Sequence, residues 1–320
     1  MRYKYFKNAG ADISAITVGT WGIGGANSAG LSWGPINDEE SIEAIHTMID
    51  NGVNIIDTAP VYGEGHSEKV VGKALKGIRN KVFVSTKFGT YISHYNFKSV
   101  RDSRYDTVIK ECDNSLKNLQ TDYIDFYIMH WPDINTPIEE TMAAVTKLQK
   151  DGKIRFIGMS NSPKELITEA QKYAKIDIIQ PPFSMVEQSK KELLIWAKSQ
   201  GIFTMAYGSL GGAILTGGIR DLSKLKPNDM RLAFYPFFKE PQFSKIMELL
   251  KGLDKIAGAH KKSVAQVTIN WSTQKDYVGT ALVGARNSKR AKENCKAFEW
   301  ELSKEEIDLI DSEIKRLNIS

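Results

Sequence analysis

Only two cysteines stand in a chain of 320 residues. Cys112 and Cys295 lie far apart, both in stretches with helical patterning, so they build neither a disulfide framework nor a zinc-ligand spacing. No run approaches the ~18 consecutive apolar residues of a membrane span. The opening Met1-Arg2-Tyr3-Lys4-Tyr5-Phe6 lacks the apolar core of a secretion signal, so the cytoplasm is the expected compartment, with no membrane partner. Charge is not concentrated either: the net value is +5 and the lysines are spread along the helices. That distribution offers no basic stripe to nucleic acid, although a mild positive field suits an anionic cofactor or substrate. His46, His66, His94, His130 and His260 show no ligand pattern such as H-E-x-x-H, so no metal is expected. The dinucleotide fingerprint G-x-G-x-x-G is missing as well. Gly22-Ile23-Gly24-Gly25-Ala26-Asn27 fails it at the last position, and no Walker-type Gly-Lys-Ser/Thr occurs.

The chain does contain short apolar runs that end on polar or ionisable residues. They are Asn54–Asp57, Val82–Lys87, Asp125–His130, Phe156–Asn161, Asp177–Gln180 and Phe203–Tyr207. A strand covered on both faces reads as a continuous apolar run, so these are expected to be interior parallel strands. Two more complete the set, Ile16–Thr20 and Val278–Val283. Helical periodicity follows each strand. Helices are expected from Asp38 as N-cap to about Asp50, then at Glu68–Lys76, Tyr105–Asn118, Ile138–Lys150, from Pro163, and at Glu187–Ser199. Ser244–His260 and Val264–Thr273 precede the last strand, and helices from Ser288 and Ser303 close the chain. Ahead of everything, Tyr3–Lys7 and Ala11–Ile13 form a hairpin turned by Asn8-Ala9-Gly10. With no linker or shift in composition, residues 1–320 read as one domain. Its expected fold is α/β: a (β/α)8 TIM barrel capped below by the hairpin, with extra helices before strand eight and at the C-terminus.

Closing the barrel brings the strand ends to one face, where barrel enzymes carry their chemistry. Asp57, Lys87 and His130 occupy three such ends. After Asp57, a turn fixed by Pro60, Gly63 and Gly65 lifts Tyr62 into the barrel mouth, and Ser67 is placed to cap the next helix. A free phenol titrates near pH ~10. A lysine cation about 4 Å away, at an effective dielectric of about 20, favours the phenolate by up to about 4 kcal/mol. Even half of that lowers the phenol pKa by more than a unit. Asp57 would keep Lys87 charged and aimed, and His130 would donate to an oxygen gaining charge. Such a group protonates a carbonyl oxygen while its carbon is attacked. The alternative of Lys87 as an imine-forming nucleophile in a barrel lyase needs a neutral amine, which a facing Asp57 opposes. A retaining glycosidase needs a second well-placed carboxylate.

Five segments in order resemble those of the aldo-keto reductases. They are Asp57…Tyr62-Gly-x-Gly-x-Ser-Glu68, Ser85-Thr-Lys87-Phe-Gly, Asp125-x-x-x-x-His130-Trp-Pro, Gly152-Lys-Ile-Arg155-x-Ile-Gly-x-Ser160-Asn161 and Tyr207-Gly-x-Leu. The resemblance covers nearly the whole chain and is nearest to the bacterial stress-protein and inositol-operon-like branch. It implies reversible, metal-free reduction of aldehydes and ketones by NAD(P)H. Tyr62 is then the proton donor, tuned by Lys87 and Asp57, with His130 orienting the carbonyl. The resemblance places Thr20, Trp21 and Asp57 beside the cofactor. It stacks the nicotinamide on Tyr207 and gives its carboxamide to Ser160, Asn161 and Gln180. Gly208, Ser209, Leu210 and Gly211 resemble the strip that holds the pyrophosphate, with Ser209 where proline is usual and Ala213 where glycine is common. Gly284, Arg286, Arg290, Glu293 and Asn294 would take the adenosine end, near a helix N-terminus suited to phosphate. Two arginines there favour NADP(H) over NAD(H).

The substrate is expected to be a small carbonyl compound, contacted by Trp21, Tyr62, His130 and Trp131. Trp33, Phe88, Tyr91 and Phe183 also fall at or after strand ends and suggest an aromatic-lined pocket. Residues 22–37, 90–104 and 215–238 would close it, carrying Arg101, Arg104 and Arg231 among their cations. A second reading is a cofactor-binding regulatory subunit resembling potassium-channel β subunits, although the chain starts almost at the hairpin, with nothing resembling a gating segment. No coiled coil or obvious apolar patch marks an oligomer interface.

Overall fold

Strands that lack a polar face need cover on both sides, and the chain supplies it by curling its sheet into a ring sheathed in helices. The computed structural model describes residues 1–28, 34–93, 95–96, 98–227 and 229–319. It begins with an antiparallel hairpin, β1 (Tyr3–Phe6) and β2 (Ala11–Ser14). Then follow β3 (Ile16–Gly19), β4 (Ile55–Asp57) and β5 (Phe83–Phe88). A second antiparallel hairpin, β6 (Thr90–Ile92) and β7 (Ser99–Arg101), occupies part of the stretch read as a loop. The remaining strands are β8 (Ile124–Met129), β9 (Ile154–Ser160), β10 (Ile178–Gln180), β11 (Phe203–Ala206) and β12 (Thr280–Gly284). The ring closes in the order β3-β4-β5-β8-β9-β10-β11-β12, every neighbour pair parallel.

Outside lie α1 (Asp38–Asp50), α2 (His66–Ala74), α3 (Tyr105–Leu119), α4 (Ile138–Lys150), α5 (Lys164–Ala170) and α6 (Lys191–Ser199). A short α7 (Met230–Phe234) precedes α8 (Gln242–His260) and α9 (Val264–Gln274), the expected pair before the last strand. α10 (Ser288–Cys295) and α11 (Lys304–Leu317) complete the chain.

Two layers of core follow. Met48, Val70, Met142 and Leu148 pack between strands and helices, while Phe6, Ile13, Phe126, Ile178 and Met205 fill the bore. Phe6 reaches in from the hairpin, its ring 5.5, 5.0 and 5.2 Å from those of Phe126, Phe156 and Phe203. The hairpin is therefore the barrel's lower plug, as its position in the sequence suggested. At the same end Asp125 is buried and accepts from Arg79 (2.8 Å) and Arg155 (2.9 Å). Both guanidinium groups lie over the Tyr123 ring, at 4.1 and 4.0 Å. Asp125 and Arg155, prominent in the motifs, thus brace the bottom of the barrel.

Several boundaries differ from expectation for local reasons. α1 is capped by Asn37, whose side chain accepts from the Glu39 and Glu40 amides, while Asp38 sits in the first turn and pairs with His66 at 2.8 Å. Gly65, with φ of 89°, takes the N-cap of α2, so Ser67 does not cap it. The Ser67 hydroxyl points inward and bonds Thr20 Oγ1 (2.7 Å) and Thr58 Oγ1 (2.9 Å). α6 starts at Lys191 instead of Glu187 because a Ser184–Glu187 bridge and a bond from the Ser189 amide to Glu187 form a turn there.

Candidate active site

Side chains alternate across a strand, so Ser85 and Lys87 of β5 share the inward face. β4 ends beside them at Asp57. One Asp57 oxygen accepts from Lys87 Nζ at 2.5 Å; the other accepts from Ser85 Oγ and from Gln180 Nε2, both at 2.8 Å. Lys87 also donates to the Thr58 carbonyl at 2.9 Å and to the Tyr62 hydroxyl at 3.5 Å. Tyr62 is delivered by a turn that runs close against Gly24. A Cβ on Gly63, at φ of 61°, would fall 1.7 Å from the Gly24 oxygen, so only glycine allows that approach. His130 follows β8, its amide held by the Phe88 carbonyl at 3.0 Å. Its ring meets Tyr62 edge-on at 6.0 Å, and Trp21 stacks on the other side at 6.1 Å. The structure therefore gathers all four expected groups at the barrel mouth.

Their electrostatics depart from expectation in one respect. Burial pushes the Tyr62 phenol well up, and the Asp57 charge adds to the shift. The predicted lowering by Lys87 does not occur. The lysine cation is a full ångström closer to Asp57 than to the phenol, so the pair presents little net charge, and burial prevails. Burial also pulls the Lys87 ammonium down, opposed by Asp57 and then Glu68. His130 is held well below its usual range by burial and the Lys87 cation, so its ring is neutral at neutral pH.

The sequence reading gave no role to Ser85, Thr58 or Glu68. Glu68 is fully buried behind β5, accepting from Thr86 at 2.7 Å and Asn118 at 3.0 Å. It lay within the densest motif; its signal was an ionisable carboxylate six residues after the tyrosine, in the first turn of α2. Thr20 is also buried, its hydroxyl donating to the Asp57 carbonyl at 2.9 Å, so it backs the site.

The residues expected around the nicotinamide lie at adjacent strand ends and bond to one another. Asn161 donates to the His130 carbonyl at 2.9 Å and accepts from the Tyr207 hydroxyl at 2.8 Å. Ser160 donates to the Gln180 carbonyl at 2.7 Å, while the Gln180 amide nitrogen is directed at Asp57. Beyond Tyr207, Gly208 has φ of 73° and Ser209 turns its hydroxyl back toward the Ala206 carbonyl at 3.4 Å. Gly211, Gly212 and Ala213 all have positive φ, 55°, 59° and 77°. A left-handed backbone costs an L-residue about 1–2 kcal/mol, offset in part by the greater unfolded-state freedom of glycine. Ala213→Gly is therefore expected to raise unfolding stability by about 0.5–1 kcal/mol in urea titrations. An equal or lower value would show that this backbone carries no strain.

Leu210 and Ala213 open onto a groove of about 430 Å³ that continues to Gly284, Arg286, Arg290 and Asn294. Arg286 donates to the Pro35 carbonyl. Arg290 pairs with Glu293 at 2.7 Å, and Asn294 donates to the Gly284 carbonyl at 3.3 Å. Residues 35–37, read as part of a substrate lid, instead wall this groove together with Glu40 and Ser41 of α1. Ser288, in the first turn of α10, has a buried hydroxyl with no partner among the described residues. A groove lined by two arginines beside the first turn of α10 suits a phosphate-bearing ligand.

Of the aromatics expected to line the pocket, Trp21, Tyr91 and Trp131 are partly exposed. Phe88 and Phe183 are corrected to core positions. Phe88 packs on Tyr127 at 4.7 Å and Phe183 stacks on Trp271 at 5.5 Å. Phe234 of α7, not singled out in the sequence, meets Trp21 edge-on at 6.3 Å. Trp33 and His94 lie outside the described residues.

Among the described residues no helix is long and apolar enough to cross a membrane, and no His, Cys, Asp and Glu side chains form a group of three or more able to hold a metal ion. Residues 15–315 match the sequence profile described as the Aldo/keto reductase family. Aldo-keto reductase YhdN of Bacillus subtilis (strain 168) is 37% identical over 310 residues, covering 96% of this chain and 91% of that one. The NADH-specific methylglyoxal reductase of Escherichia coli (strain K12) is 32% identical over 313 residues, covering 93% and 94%. The solved structure of the glycerol dehydrogenase AKR11B4 from Gluconobacter oxydans superposes with a TM-score of 0.89 at 34% identity, over 99% of this chain and 96% of that one. The chain belongs to the aldo/keto reductase family.

Proposed function

We propose that this protein reduces aldehydes or ketones to alcohols, with Tyr62 as proton donor and NADP(H) preferred over NAD(H). The reading rests on one arrangement: a buried phenol 3.5 Å from an ammonium that is itself paired to Asp57 at 2.5 Å, with a neutral imidazole across the mouth. Ser160, Asn161, Gln180 and Tyr207 would hold the nicotinamide end of the cofactor, with Thr20 behind it and Trp21 at its side. Residues 208–211 would follow the pyrophosphate, and Gly284, Arg286, Arg290, Glu293 and Asn294 the adenosine end. When bound, the reduced cofactor supplies a hydride for the carbonyl carbon. The protein supplies the rest. Tyr62 gives its hydroxyl proton to the carbonyl oxygen as the C=O π bond becomes a C–H and an O–H bond. His130 donates an N–H to that oxygen as charge builds. Lys87, kept charged by Asp57, would offer its N–H to the phenolate oxygen left behind, along the 3.5 Å contact it already makes with the hydroxyl. Trp21 and Trp131 flank the carbonyl compound.

The NADP(H) preference is carried by Arg286 and Arg290 at the α10 end of the groove. A hydrogen bond to a charged group contributes about 1.5–3 kcal/mol, and about 1.4 kcal/mol is tenfold in affinity. Competition titration should thus give NADPH at least a tenfold lower Kd than NADH. The NADH-specific relative makes the opposite outcome a live comparison, and tighter NADH would remove the arginine argument. A panel of aldehydes and ketones, followed by cofactor absorbance, tests the activity itself. Tight dinucleotide binding with no oxidation on any carbonyl would favour a cofactor-sensing subunit.

A further inference from the structure

Four arginines stand on residues 90–104 and 215–238 around the barrel mouth, and three of them are committed. Arg220 donates to Asp254 at 2.7 Å. Arg104 holds Asp102 through Nε at 2.9 Å and a terminal nitrogen at 2.6 Å. Arg231 holds Asp229 in the same way, at 2.8 and 2.6 Å. Arg101 differs. Its guanidinium lies 4.9 Å from the centre of the Trp131 ring, and among the described residues no carboxylate pairs with it. Residues 29–33, 94, 97 and 228 include no aspartate or glutamate side chain.

The acids close to it in the fold are already occupied. Asp102 accepts from Arg104 and Thr107. Asp133 accepts from the Ser103 and Asn135 amides and from the Thr136 hydroxyl. Arg101 is also held on a braced support. It ends β7 in register with Thr90, and that hairpin is fastened at its base. The Gly89 amide donates to Glu111 at 2.6 Å, and the Asp102 amide donates to the Gly89 carbonyl at 3.2 Å. Trp131, beneath the cation, directly follows His130. An exposed guanidinium over the indole of the residue that follows His130 keeps its fork of donors available.

We propose that Arg101 is the anion-recognising residue of the substrate site, selecting carbonyl compounds that carry a carboxylate or phosphate group a short spacer away from the reacting C=O. This rests on the carbonyl-reductase reading above. A carboxylate and a phosphate offer the same pair of acceptor oxygens to the fork, so both belong to the class.

Matched substrates test it. The carboxylate arm compares 4-carboxybenzaldehyde with 4-methylbenzaldehyde, and succinic semialdehyde with butanal. The phosphate arm compares glyceraldehyde 3-phosphate with glyceraldehyde. In the wild-type enzyme kcat/KM should favour the anionic member by about tenfold or more, mainly through KM. Arg101→Met should bring that ratio toward one. Arg101→Lys should keep part of it, since charge survives without the fork. Raising the salt concentration should shrink the ratio in the wild type and in Arg101→Lys, and leave Arg101→Met unchanged. A preference confined to one arm identifies the anion. Turnover of neutral aldehydes with no anionic preference, or a preference that survives Arg101→Met, overturns the subsite alone. Absence of turnover on every carbonyl overturns the reductase reading and the subsite with it.

Discussion

Tyr62→Phe is expected to lower kcat by about 10²- to 10⁴-fold, the usual contribution of a positioned general acid. The ring survives in that variant, so its packing between Trp21 and His130 is kept, and dinucleotide affinity should stay within about twofold. Steady-state kinetics with the best carbonyl of the panel, beside a fluorescence titration of the cofactor, separates the two effects. Turnover close to wild type would remove Tyr62 from the donor role. The direction of its titration adds a second expectation. Because burial and Asp57 push the phenol above its ordinary value, it is fully protonated through the neutral range. On the proposed role the hydroxyl then holds its proton ready for reduction, and the Tyr62 contribution should be flat from about pH 6 to about 9. It would be lost only as pH rises through the elevated value. His130, held low, is already neutral there and adds no further step.

Lys87→Met should damage rate and stability together, for different reasons. Methionine nearly matches the length of the lysine stem, so little volume is lost, while Asp57 loses its cation in a site with 1% exposure on both side chains. Breaking a buried ion pair from one side costs about 3–5 kcal/mol. The bonds from Ser85 and Gln180 remain, which favours the lower end. Thermal and urea unfolding measure this loss. Adding Asp57→Asn removes the stranded charge, so the double variant should recover much of the stability and none of the rate. An unchanged melting temperature in Lys87→Met would show that Asp57 is not left charged and dry. A wild-type rate would show that the ammonium takes no part in the chemistry.

The gathering of Asp57, Lys87, Tyr62 and His130 was readable because of the strand architecture. Strands covered on both faces must be apolar, so Asp57, Lys87 and His130 stood out at their ends. Parity along β5 carries further information. Ser85 shares a face with Lys87 and so had to reach the same carboxylate. Phe88, one residue beyond, had to face the helices, where it packs on Tyr127. The misjudged direction of the Tyr62 titration has another origin. Sequence gives which charges meet, and it does not give how far each has been removed from water or which partner is nearer. Ser67 and Gly65 illustrate a local ambiguity, since both suit an N-cap and only the turn decides between them. The wall of the groove from Pro35 to Ser41 was beyond local pattern altogether. It is created when α1 packs beside α10 across the junction of the first and last barrel strands.

Gln180 and Asp57 stand on β10 and β4, on opposite sides of an eight-strand ring, and their 2.8 Å hydrogen bond crosses the bore. With Ser85 and Lys87 of β5 on the same carboxylate, a single anion stitches three walls together just under the reacting atoms. Widening the ring at that level would strand a charge. Changes in the loops above that level leave these bonds in place, so selectivity can be altered at the rim without touching the buried carboxylate.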